Sequence, residues 1–169
     1  VVFVSNIFGG TKFASDSYGF DATIPDGFTV DESYVNNTLG PDRAIPGVSF
    51  QVPAGFTEGT NLSADSRVSV ERLSGVECSP KLFMSGDASV ENVILGTNAY
   101  RRSSITEGAA GNTYENTVNV FERAGYCYAV RYLIHTTQIG NYPAGSVKEY
   151  DRKTLLSWFN SIASSFVVR

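Results

Sequence analysis

The chain has 169 residues, 42% hydrophobic and 18% charged, with 13 Lys and Arg against 17 Asp and Glu for a net charge of −4. At roughly 100–200 residues per domain this is one domain, 1–169, too apolar for disorder and long enough to bury a core without metals. No run approaches the roughly 18 apolar residues of a membrane helix, so no transmembrane segment is expected, and the densest basic spots, Arg101-Arg102 and Arg152-Lys153, are too sparse for a nucleic-acid binder.

The chain opens on Val1-Val2-Phe3-Val4, which lacks a basic start and is too short for the apolar core of a signal peptide. The reading is that a targeting segment has been removed, with residues 1–15 a flexible or edge segment. In Ser17–Ile24 the residues Tyr18, Phe20, Ala22 and Ile24 alternate with polar or small ones, the period of a half-buried strand. Pro25-Asp26-Gly27 supplies a turn, and Phe28-Thr29-Val30 resumes the alternation. Residues 31–47 read as loop with one helical turn near 31–34, Val48–Val52 as a strand, 54–65 as loop and Arg67–Leu73 as a strand. Ser79-Pro80 is expected to cap a short helix running to Met84.

Four strands follow, Val90–Leu95, Tyr100–Thr106, Tyr114–Arg123 and Gly125–His135, separated by short Gly-bearing segments that predict antiparallel hairpins. In Tyr126–His135 apolar residues fall on both faces, as in a central strand covered on both sides. With Asp151 as N-cap, Leu155, Leu156, Trp158, Phe159, Ile162, Ala163 and Phe166 fall within an arc of about 160° on a helix over 152–166. Its polar face is mostly Ser, so it is expected to pack on protein and not on a membrane. The expected fold class is α+β: an antiparallel sheet of five or more strands packed against a long C-terminal helix and short helices.

Cys78 and Cys127 are the only cysteines, and their spacing excludes CxxC redox and zinc-ribbon readings. A strand end and a strand middle meet readily in a sheet, so the pair reads as a disulfide, with two reduced buried thiols as the alternative. Together with low Lys and abundant Gly, Ser, Thr, Asn and Tyr, the pair places the chain as periplasmic or secreted. Sequons occur at Asn36-Asn37-Thr38 and Asn61-Leu62-Ser63 and matter only in a eukaryotic secretory pathway.

Tyr18-Gly19-Phe20 with Ile24-Pro25 and Gly27-Phe28 resembles the opening hairpin of PsbP-like domains, and Leu155–Phe166 is similar to their last helix. Phe28 stands where those domains tend to have Trp. The middle of the chain looks more like a group of bacterial envelope proteins with a paired cysteine. The resemblance implies an antiparallel sheet flanked by helices, an exported location and no catalytic role.

Candidate chemistry is sparse. His135, the only histidine, closes a strand, and no Gly-x-Ser-x-Gly elbow accompanies it. One His and two distant Cys fall short of a zinc set, and no calcium loop appears, Asp31-Glu32 being the nearest acidic spot. Gly108-Ala109-Ala110-Gly111-Asn112 lacks the Gly-Lys-Ser/Thr of a phosphate cradle. No cofactor, no metal and no catalytic residue is therefore assigned. The expected function is a non-catalytic exported domain that binds an unknown protein or a cell-envelope component. The speculative binding residues are Tyr142 and Asn141, on an exposed loop. A hydrolase using His135 as general base is the alternative.

Overall fold

A computed structural model describes residues 9–169; the reading of Val1–Val4 and the first half of the N-terminal segment lie outside these residues. Eleven strands run in chain order among them: β1 Gly10–Ser15, β2 Phe20–Pro25, β3 Thr29–Asp31, β4 Val35–Asn36, β5 Ile45–Gln51, β6 Arg67–Ser74, β7 Glu91–Leu95, β8 Asn98–Ala109, β9 Asn112–Arg123, β10 Tyr126–Thr137 and β11 Val167–Val168. Two helices join them, α1 Ala54–Thr57 and α2 Arg152–Ser165.

The α+β expectation is corrected. The chain is 48% strand and 17% helical, an antiparallel β-rich fold with one long helix. The strands form a sheet of eight in the order β3-β5-β6-β10-β9-β8-β7, with β4 on β5, and a sheet of three in the order β1-β2-β11. The expected short helices are the reason for the difference. The one capped by Ser79 stops as a 3-10 turn at Pro80–Leu82, the expected turn near 31–34 is not helical, and α1 is four residues long. Helix nucleation is too costly for segments of that length to be more than local turns. Meanwhile β8, β9 and β10 each reach twelve residues, β4 and β11 form where no strand was expected, and β1 forms in the segment read as flexible or edge.

Alternation along β10 builds two cores. Tyr128, Val130, Tyr132 and Ile134 join Leu155, Phe159, Ile162 and Phe166 of the C-terminal helix segment and Phe20, Ala22 and Ile24 of β2 in the larger one. Cys127 and Ala129 point the other way, into a smaller cluster with Ile45, Phe83, Met84, Val118 and Val120. Cys78 and Cys127 are joined there by a disulfide, S–S 1.98 Å. Asp151 caps α2 by accepting from Thr154 N at 3.0 Å. At the other end Asn98 Nδ2 donates to the carbonyls of Ala163 and Phe166, and Tyr100 OH to that of Ala163, satisfying groups a helix end leaves open.

The Tyr-Gly-Phe segment locks the small sheet to the large one. Gly19 adopts φ 67°, which turns the Tyr18 carbonyl toward Arg72 Nη1 at 3.0 Å and Tyr128 OH at 2.8 Å. Phe20 stacks on Phe166 with ring centroids 4.8 Å apart. Arg72 lies over the rings of both Tyr18 and Tyr126.

The hairpin joining β9 to β10 turns on Ala124-Gly125, both with positive φ, and Ala124 sits at φ 52°. A two-residue turn of this hand suits the twist of the strands but strains an Ala there by about 1 kcal/mol. Ala124→Asn should therefore raise stability by about 1 kcal/mol. The check is a higher urea midpoint at unchanged slope; an unchanged or lower midpoint would contradict it.

Candidate functional site

Beyond the smaller core, the second face of the large sheet turns polar. Arg131 is the one charged residue inside β10, and it is buried against Glu71 of β6. Arg131 Nε lies 2.8 Å from Glu71 Oε1 and Nη2 2.9 Å from Oε2, a bidentate pair. Asn36 Nδ2, Ser69 Oγ and Tyr34 OH also donate to this carboxylate, at 3.1, 3.1 and 3.4 Å. Arg131 Nη2 donates further to the Phe83 carbonyl. Burial works to lower the pKa of the guanidinium, but the charge and hydrogen bonds of Glu71 outweigh it, so the pKa is raised. Nη1, on the side away from Glu71, carries no hydrogen bond among the described residues.

Four residues further along β10 stands His135. Its Nδ1 is 2.7 Å from Asp65 Oδ1 and its Nε2 is 2.9 Å from Asn112 Oδ1. The amide of Asn112 is oriented by its own Nδ2, which faces the carbonyls of Ala109 and Ala110. Tyr114 stacks on the imidazole with centroids 4.2 Å apart. The hydroxyl of Ser66 bonds the His135 backbone, accepting from N and donating to O, and leaves the ring alone. Both ring nitrogens thus point at acceptors, and no hydroxyl is placed on either of them among the described residues. The ring latches the tip of the β8–β9 hairpin to the 60–66 loop.

Burial raises the Asp65 carboxyl, yet the hydrogen bonds from Ser63 and His135 and the charge on His135 prevail and hold it below the usual carboxylate range. A carboxylate held low contributes stability above its unfolded pKa of about 3.9 and loses it as pH falls through the lower folded value. An NMR titration of the Asp65 carboxyl should accordingly give a midpoint below about 3.9, with the Asn112 side-chain amide shifting in step. A midpoint at or above that value would contradict the latch.

Between Arg131 and Tyr114 lies a cleft of about 230 Å³. Met84, Ile105 and Leu133 give it apolar walls, and Thr38, Ser85, Glu107, Tyr114 and Asn116 give it polar ones. A larger depression of about 420 Å³ lies at the other end of β9, between Thr97–Ala99 and Phe166–Val168. It lies far from the buried ion pair and from the histidine, so the smaller cleft is the candidate.

The sequence-derived binding residues lie beside this region and do not line the cleft. Asn141 ends a 3-10 turn and approaches Gly111 so closely that a Cβ there would overlap its amide. Tyr142 is 39% exposed, with its hydroxyl 3.0 Å from Thr137 Oγ1. Neither sequon asparagine is free. Asn36 is buried on Glu71, and Asn61 bonds Thr137 O and Tyr150 N. Sequence reasoning missed Arg131, Glu71, Asp65 and Asn112. One signal was present: a lone arginine in an apolar central strand requires a buried partner.

No family model matches the sequence, and no curated protein matches it. Solved structures do resemble the fold. The yeast (Saccharomyces cerevisiae) Ran-binding protein Mog1p superposes with a TM-score of 0.57 at 10% identity, over 95% of this chain and 96% of its own. The cyanobacterial PsbP protein CyanoP of Synechocystis sp. PCC 6803 gives 0.50 at 13% identity, over 100% and 98%. A Bacteroides thetaiotaomicron protein gives 0.55 at 12% identity over 95% of this chain, but the chain spans only 48% of that protein's length. At these identities the likeness is one of fold alone. At that level it agrees with the PsbP-like resemblance of the opening hairpin and closing helix.

Proposed function

We propose that the chain acts as one domain, exported and non-catalytic, which binds a protein or cell-envelope component through the second face of its large sheet. The observation that carries this reading is the state of His135. A general base needs a nitrogen within reach of the proton it takes. Here Asp65 and Asn112 occupy both nitrogens, and the nearby hydroxyl of Ser66 is held by backbone. The open cleft next to this latch offers a binding surface, extended by Asn141 and Tyr142. The Cys78–Cys127 disulfide supports an oxidising compartment such as the periplasm or the cell exterior. The PsbP and Ran-binding folds it resembles support a binding role by analogy.

The test has two arms. An esterase and peptidase screen should give no turnover above that of His135→Ala. An envelope extract passed over the immobilised domain should yield a partner that Tyr142→Ala retains less well. Turnover that His135→Ala abolishes would overturn the proposal in favour of a hydrolase.

A further inference from the structure

We infer that the cleft between Arg131 and Tyr114 binds one uncharged sugar ring of a cell-envelope glycan. This rests on the binding-domain reading and names the ligand class of the same site.

Charge sets the class. Arg131 sits on the wall but is neutralised by the bidentate Glu71, and Glu107 stands exposed at the rim with no ion-pair partner among the described residues. An anion entering the cleft meets the charge of Glu107, and an ammonium has no lone pair with which to accept from the Arg131 guanidinium. A neutral ligand meets neither penalty.

Hydrogen-bonding sense narrows the class further. Arg131, only 3% exposed, lines the cleft and keeps one donor, Nη1, without a hydrogen bond among the described residues. Glu107 offers acceptors only. Thr38 Oγ1 gives its hydrogen to Asn36 Oδ1 at 2.7 Å, so it too presents lone pairs. The side chain of Asn116 is unbonded among the described residues and offers both senses. A ligand that meets donors and acceptors around its edge must itself carry groups that do both, and hydroxyls do. Met84, Ile105 and Leu133 would take the C–H faces of such a ring, with Tyr114 as a rigid aromatic wall held from behind by His135. The volume of about 230 Å³ is below that of pockets for drug-sized ligands, so it holds one ring of a chain that continues outside.

The experiment is an amide NMR titration of the intact domain with glucose, galactose, mannose and N-acetylglucosamine, each alone, and with acetate and methylammonium as charged probes. At least one sugar should give saturable shifts confined to Thr38, Ser85, Glu107, Tyr114 and Asn116, at millimolar affinity. Asn116→Ala and Glu107→Ala should each weaken it by about fivefold or more, with the rest of the spectrum unchanged. These two side chains make no hydrogen bond or ion pair among the described residues, so both variants are expected to fold. Absence of shifts with every sugar, or saturation at these residues by a charged probe alone, overturns the ligand class. A protein partner recovered from the envelope extract would then still leave the binding-domain reading standing, so the two fail separately.

Discussion

Arg131→Met should cost about 3–5 kcal/mol of folding stability, among the largest effects of any single substitution in this chain. The loss does not come from the attraction itself. Removing the guanidinium leaves the Glu71 carboxylate fully buried, with only Asn36, Ser69 and Tyr34 to solvate it. Glu71→Leu should be comparably damaging, because it strands the arginine on a single carbonyl, that of Phe83. The double variant should recover much of the loss, since two apolar side chains need no partners. Urea denaturation of the three variants checks this. Additive losses would mean that the pair is not coupled as its geometry requires.

Loss of the disulfide is the other large effect. Cys78 and Cys127 are 49 positions apart, and closing a loop of that size stabilises by roughly 4 kcal/mol on the chain-entropy estimate. Cys78→Ala with Cys127→Ala should lower stability by about 2–5 kcal/mol while retaining the fold at low temperature. A thiol count on unreduced, denatured protein should find none. Two free thiols would refute the bridge and weaken the argument for an oxidising compartment.

What could be read from the sequence follows from the range of the interactions involved. The period of α2, its Asp151 cap and the Gly-bearing hairpins depend on neighbours a few residues apart and are written locally. The strands β1, β4 and β11 have no such mark. Val167-Val168 becomes a strand only because Phe20 and Asp21 lie beside it. This is why local pattern under-represents strand relative to helix in this chain. The same holds for the site. His135 was visible as the only histidine, but its partners Asp65 and Asn112 are 70 and 23 positions away. Asn36 and Asn61 matched a sequon by local pattern, while tertiary contacts gave them structural work. Tyr142 and Asn141 stand out in the sequence by loop exposure, a property that does not depend on where the cleft lies.

The three-stranded sheet bears on how the protein is made. Its middle strand β2 precedes the long strands of the large sheet in the chain, whereas α2 and β11, which pack on it, follow them. Thr23 and Ser165, which bond each other, are 142 residues apart in the chain. Until the final turn of α2 is made, Phe20, Ala22 and Ile24 lack the cover of Ile162 and Phe166, and the closing contact carries the loop-closure cost of a separation of 142 residues. Contacts of this range are slow to form, so the docking of α2 and β11 onto β2 is expected among the last steps of folding, and the apolar face of β2 is the surface open to mispairing until then.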